Sequence, residues 1–305
     1  MNRSMPHGRQ GHPLLVVALL LLLPVTAQGG MGFMPPPPAP APLVVTPGPM
    51  KTPMRIAATG PGRFVATDYQ DGTVYEIKAA TPDQPVALFK VQGQPLAVEP
   101  NGTQFLVGND STGAIEIYRR DGKKLKTFTA GGEIKPSDIA CDSRMRLVFA
   151  VDGLNREVKV FSVGGTLVRS FGAAAPLSNP MGIAIDPRTQ QVFVSDYGDP
   201  RVGIAASINV FTYKGALLRR ITGSFSRPQG LALDSRNLYV VDAMLGQILV
   251  FNRTTFASAG ALGGFGTAAG KLLLPMDLSR DPATGKLFVT NSRMGRVAAF
   301  APPSP

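Results

Sequence analysis

The chain has 305 residues, 31 Lys+Arg against 20 Asp+Glu for a formal charge of +11, and 44% hydrophobic residues. That apolar share excludes a disordered polyelectrolyte and is enough to bury a core at this length. A single cysteine excludes an internal disulfide and a Cys-x-x-Cys-His haem attachment, while Gly 34 and Pro 28 suit a chain cut into many short strands by tight turns.

In chain order, the first element reads as a secretory signal over residues 1–27. Arg3 and Arg9 give a positive start, Leu14 to Leu23 is unbroken and apolar, and Pro24-Val25-Thr26-Ala27 offers small residues for cleavage. The apolar run is barely half the roughly 20 residues a spanning helix needs, so a membrane anchor is disfavoured. Cleavage removes Arg3 and Arg9 and lowers the formal charge from +11 to +9. It also removes both histidines, His7 and His12, which excludes histidine-ligated metal and histidine general-base chemistry from the mature chain. Residues 28–42 follow as a linker, dominated by Pro35 to Pro38 and alternating Ala/Pro, whose composition favours extended polyproline conformation.

From Leu43 the chain is periodic. Six short β-branched or aromatic runs end in an acid or amide: Asp68, Asn109, Asp152, Asp196, Asp242 and Asn291, at spacings of 41, 43, 44, 46 and 49 residues. A period in the forties with only strand signals is the size of one propeller blade. Each repeat divides into four strands: a, which follows a proline or glycine (Pro136 to Ala140, Pro180 to Ala184, Pro228 to Ala232, Pro275 to Ser279); b, which ends on the acid or amide; c, such as Ile115 to Tyr118; and d, such as Leu125 to Phe128. Their apolar–polar alternation has the period of two expected of strands. Repeat 2 departs most at the start of strand a, with Gly93-Gln94-Pro95-Leu96-Ala97. The last repeat has only three strands, and Leu43-Val44-Val45-Thr46 is left over at the front. The expected fold is therefore all-β: a six-bladed β-propeller of four-stranded antiparallel blades over residues 43–302, its ring closed by that N-terminal strand.

The words Pro-x-Gly-Ile-Ala-x-Asp, Val-Phe-Val-x-Asp and Arg-Ile-x-Val-Phe resemble the NHL repeat, best at Pro180 to Asp186 with Val192 to Asp196 and at Pro228 to Asp234 with Leu238 to Asp242. The resemblance runs over essentially all of Leu43 to Phe300 and is of an exported bacterial type. It implies a binding disc used in multiprotein assemblies. Similar propellers also include lyases with metal-bound histidines and lactonase-like hydrolases with a metal held by acids and amides.

The six strand-b acids and amides are expected to fix turns, since Asp and Asn side chains bond the backbone N–H groups that follow them. A second set, Glu99, Asp142, Asp186, Asp234 and Asp281, is assigned the same role at the end of strand a. Asp138 and Asp277 stand where Gly182 and Gly230 stand in the best repeats. They fall in opposite blades, 3 and 6, so they are candidate ligands at the channel mouth for a metal or a cationic group. Blade 4 carries one long b–c insertion, Tyr197 to Ser207, whose Asp199 and Arg201 are candidates for binding through a loop. Sorting turns by strand direction puts Arg119, Arg120, Lys123, Lys124, Arg144 and Arg146 on one basic face, with Arg188, Lys214, Arg236, Arg253 and Lys286. That face is a candidate for anionic surfaces or partners. Cys141 sits in an apolar strand pattern and is expected to be a small buried hydrophobe.

The expectation is an exported, secreted or periplasmic, monomeric scaffold that binds another protein, a small ligand or an anionic envelope component through its loops, with no cofactor. RNA is disfavoured because no interleaved aromatics stand out. The alternative is a metal-dependent, lactonase-like hydrolase using Asp138 and Asp277.

Overall fold

A computed structural model of the protein describes residues 48–128, 130–172 and 177–302. The signal, the linker and the proposed closing strand Leu43 to Thr46 lie outside these residues. The described chain forms six antiparallel sheets, five of four strands in the order a-b-c-d and one of three. Blade 1 runs Pro53–Gly60, Arg63–Asp68, Thr73–Lys78 and Thr81–Lys90, and blade 6 runs Pro275–Arg280, Leu287–Asn291 and Arg296–Phe300. The only helical elements among the described residues are two 3-10 turns, Pro200–Val202 and Ser292–Met294. No described helix is long and apolar enough to cross a membrane.

All six inner strands open on a proline: Pro53, Pro95, Pro136, Pro180, Pro228 and Pro275. A proline can start a strand because it donates nothing to the ladder there. Each of these prolines pairs across the sheet with the acid or amide that ends strand b, as in Pro53 with Asp68 and Pro95 with Asn109. Blade 2 therefore keeps the common register despite its unusual sequence, with Pro95 as the strand opener.

The strand-b residues are all inaccessible; five of them anchor the turn after them, and Asn291 instead accepts only from Leu273 N in the incoming connection. Asp68 accepts from Lys51 N and Thr52 N, in the segment entering blade 1, and from Gln70 N and Asp71 N in its own turn. Asp196 repeats this with Ser178 N, Asn179 N and Gly198 N, and Asp242 with Ser226 N, Arg227 N, Met244 N and Leu245 N. One buried carboxylate thus ties the incoming connection of a blade to its b–c turn. Its cost of burial is met by three or four N–H donors.

The hydrophobic core is divided into six clusters, one in each gap between neighbouring blades. The cluster joining the first blade to the last holds Ile56, Phe64, Ala66 and Ile77 against Phe288 and Val297, with the Phe64 and Phe288 rings 4.5 Å apart. Apolar packing therefore closes the ring within the described residues. The described chain begins beside blade 6, where Gly48 N donates to Met294 O at 2.7 Å and Met50 N to Gly295 O at 2.9 Å. Val91 N makes the matching bond to Gly72 O just after strand d of blade 1.

Candidate functional site

The innermost strands surround a cavity of about 300 Å³ on the propeller axis. Counting the opening proline as position 1, position 3 in the six blades is Arg55, Ala97, Asp138, Gly182, Gly230 and Asp277. The two acids at this position lean toward the next blade. Asp138 Oδ2 accepts from Ile183 N of blade 4 at 2.9 Å, and Asp277 Oδ2 from Ile56 N of blade 1 at 2.8 Å. Gly230 is required beside Asp277, because a Cβ there would lie 1.8 Å from Asp277 Oδ1.

Arg55 is the residue that sequence reasoning missed. Only 1% exposed, it crosses the axis and donates to three carbonyls of other blades: Nε to Ser137 O at 2.9 Å, Nη1 to Met276 O at 2.7 Å and Nη2 to Met181 O at 2.6 Å. Its Nε is also 3.6 Å from Asp138 Oδ1. The signal was available, since Pro53-Met54-Arg55-Ile56 has the same register as Pro136-Ser137-Asp138-Ile139. Aligning blade 1 by its proline places a cation in the ring that holds the two acids.

Asp138 and Asp277 do share the cavity, as their spacing predicts, but its cationic position is filled by the protein itself. The residues do not fit a resident metal. Each carboxylate is committed to backbone N–H groups, the Arg55 guanidinium pairs with Asp138 and bonds three surrounding carbonyls, and no group of three His, Cys, Asp or Glu with metal-ligand geometry occurs among the described residues. Burial pushes both carboxyls above the ordinary range. For Asp277 the charge of Asp138 adds to the rise, and for both the Arg55 charge opposes it.

Glu99 needs a correction. The expectation grouped it with the turn-forming acids, but it stands at position 5, and the residue matching Asp142, Asp186, Asp234 and Asp281 is Asn101. Glu99 lines the cavity and accepts from Cys141 N of blade 3 at 3.1 Å. Burial, with smaller contributions from Asp138 and Asp277, lifts its pKa from the ordinary 4.5 to about 8, against the opposing Cys141 hydrogen bond. The other four acids do serve their turns, as Asp142 accepts from Met145 N and Asp281 from Ala283 N. Cys141 is half-buried, and burial followed by the Glu99 and Asp142 charges pushes its thiol up to about 11, so it is not a ready thiolate.

A carboxyl whose pKa rises on folding holds its proton more tightly in the folded state. Its contribution to stability is complete below pH 4.5 and is lost as pH climbs to about 8. Glu99→Gln keeps the acceptor for Cys141 N without the ionisable proton. It is expected to flatten the decline between pH 5 and 8 and to leave the variant roughly 2–4 kcal/mol more stable than wild type near pH 8. Urea denaturation across that range is the measurement, and parallel curves for the two proteins would remove Glu99 as the source.

The inserted loop of blade 4 is self-contained. Asp199 caps the 3-10 turn Pro200–Val202 by accepting from Arg201 N, and it holds the Arg201 guanidinium through Nε and Nη2, both at 2.9 Å. The two candidate residues thus neutralise each other, while the neighbouring Val202 is 69% exposed. On the proposed basic face, Arg119 pairs with Asp121, Arg120 with Glu76 at 2.7 Å and Lys124 with Glu116 at 3.0 Å. Lys123, Arg144 and Arg146 are exposed and have no acidic partner among the described residues. Half of that candidate cluster is therefore locally compensated. Two of the three pairs, those of Arg120 and Lys124, form on the buried strand-c acids Glu76 and Glu116, and the third on the exposed turn residue Asp121.

The opposite face, with the b–c turns and the connections between blades, carries exposed apolar side chains in three consecutive blades. They are Leu154 at 53%, Val202 at 69%, Met244 at 56% and Phe265 at 62%. Phe265 lies against the b–c turn of blade 5, where a Cβ on Gly246 would be 2.8 Å from Phe265 Cα. The corresponding turns of blades 1, 2 and 6 present Gln70, Ser111 and Arg293.

No family model matches the chain. Over 129 residues, 40% of its length, the chain is 33% identical to the human E3 ubiquitin-protein ligase NHLRC1, and the match spans 31% of that protein. Among solved structures, Kuenenia stuttgartiensis hydrazine synthase superposes with a TM-score of 0.58 over 83% of this chain and 78% of that one. At 16% identity the likeness is one of fold.

Proposed function

Since the chain is an NHL-repeat six-bladed β-propeller, we propose that it is an exported scaffold that docks another protein on the face bearing its b–c turns. The observation that carries this reading is the run of exposed Leu154, Val202, Met244 and Phe265 on blades 3 to 5. Large apolar side chains exposed on the b–c side of three consecutive blades, with polar turns on the other three, fit an interaction surface with a boundary. Export rests on the N-terminal charge and apolar run. The hydrolase alternative loses support because Arg55 pairs with Asp138 and backbone N–H groups already engage both Asp138 and Asp277.

The test is affinity capture from the exported fraction of the native source, followed by binding measurements with the purified partner. The variant Val202→Glu/Met244→Glu/Phe265→Ser is expected to weaken that partner by 100-fold or more, since central apolar anchors contribute about 2 kcal/mol or more each. Undiminished binding by the triple variant, with loss on replacing Lys123, Arg144 and Arg146, would move the interface to the other face. Absence of the chain from the exported fraction would sink the export half.

A further inference from the structure

On the face bearing the a–b and c–d turns, a second cavity of about 540 Å³ opens between blades 5 and 6. Its wall is polar: Arg236, Asn237 and Tyr239 come from blade 5, as does Asn252, and Arg280 and Thr284 come from blade 6. Arg280 is the telling residue. Its side chain makes no hydrogen bond or ion pair among the described residues, and its Nε is enclosed without a partner. The guanidinium lies over Gly285, where a Cβ would come within 3.1 Å of Nη2. Gly285 has φ 74°, so glycine both permits the turn and leaves the arginine its room. An arginine that is partly enclosed and lacks a protein acceptor is uncommon, because its planar donors are ordinarily matched.

Arg236, exposed on the same wall, likewise has no side-chain acceptor. The one acid in the wall, Asp234, is already engaged by Arg236 N at 2.7 Å, Asn237 N at 2.6 Å and the Tyr239 hydroxyl at 2.7 Å. Its pKa is lowered despite burial, through the Tyr239 and backbone hydrogen bonds and the Arg280 charge. It therefore stays ionised and offsets one of two cationic charges, leaving the cavity net positive.

We infer that this cavity binds a small hydroxylated oxyanion, with Arg236 and Arg280 taking its carboxylate or phosphate and the amides and hydroxyls of the wall taking its hydroxyl groups. Guanidinium pairs suit planar and tetrahedral oxyanions alike. The volume falls in the range of small-molecule sites and accommodates a ligand of sugar size.

Isothermal titration of the purified protein with glucuronate, glucose 6-phosphate and glucose tests this. At least one of the two acids should bind, and tenfold more salt should weaken it. Glucose should bind at least tenfold more weakly than that acid. Arg280→Gln and Arg236→Gln should each reduce the acid's affinity tenfold or more at unchanged melting temperature, and Arg119→Gln, on blade 2, should leave it unchanged. Arg236 is exposed and bonded only through its backbone, so its variant decides the matter even if Arg280→Gln folds poorly. Glucose binding as tight as the acids, acid binding unaffected by Arg236→Gln, or no binding of either acid at millimolar concentration would each overturn the assignment and leave Arg280 as an unpaired structural residue.

Discussion

Arg55→Leu is expected to lower the stability of the propeller by about 3–5 kcal/mol, the range for breaking a buried, hydrogen-bonded charge pair from one side. For a domain of this size that corresponds to a fall in melting temperature of roughly 6–20 °C. Arg55 joins blade 1 to blades 3, 4 and 6 through the carbonyls of Ser137, Met181 and Met276. Its removal leaves those acceptors without a donor and Asp138 without its counter-charge. Water entering the emptied position would satisfy some of the carbonyls, which keeps the cost below the sum of three lost bonds. The control is the double variant Arg55→Leu/Asp138→Asn. If the ion pair matters, the double variant is less destabilised than the two single changes added together, by about 0.5–3 kcal/mol. An Arg55→Leu protein within 1 kcal/mol of wild type would show that the arginine fills space and does not hold the ring.

Phe288→Ala is expected to cost about 3–5 kcal/mol as well, for a different reason. Phe288 is 1% exposed against the fully buried Phe64 in the core that joins the last blade to the first. Its removal creates a cavity that rigid neighbouring sheets cannot collapse to fill. The other five cores form between blades adjacent in sequence. The closing contacts span nearly the whole propeller, as in Thr290 Oγ1 donating to Met54 O across 236 residues. Contacts of such separation carry the largest loop-closure cost and should form late in folding. The loss should therefore appear mainly as faster unfolding, by about 10²- to 10³-fold, with the refolding rate little changed. Phe193→Ala, in the core between blades 4 and 5, is the comparison. If Phe288→Ala slowed refolding as much as Phe193→Ala, closure would not be a late event. The backbone pairing of Gly48 and Met50 with Met294 and Gly295 acts at the same junction, so a residual closed ring in Phe288→Ala is consistent with late closure.

Residues that repeat were legible because their causes are local. The alternation within each strand, the proline that opens strand a and the acid or amide that ends strand b recur within about 45 residues. Each is dictated by the geometry of one four-stranded sheet. Blade count, strand order and the turn-fixing role of Asp68, Asn109, Asp152, Asp196 and Asp242 could be read from them without any knowledge of neighbouring blades, whereas Asn291 bonds only the incoming connection, through Leu273 N and Lys271 O.

The channel was legible only in part. Asp138 and Asp277 stood out as exceptions at a repeated position, but Arg55, which pairs with Asp138 and bonds the Met276 carbonyl beside Asp277, comes from a strand about 80 residues before one and about 220 before the other. Glu99 was assigned to a turn because its place was judged by its neighbours in sequence. Its position on strand a, fixed by the Pro95 register, turns its carboxyl into the cavity. Asp199 and Arg201 looked like a presented pair, and a two-residue separation in a 3-10 turn makes them partners of each other. The propeller follows from the chain alone, because hydrophobic period and turn chemistry are properties of a continuous segment. Which charges are satisfied and which are free depends on how the blades come together. Arg55 found its acceptors on three other blades and Arg280 found none among the described residues, because the strands from different repeats that meet on the axis and in the grooves are set by the closing of the ring.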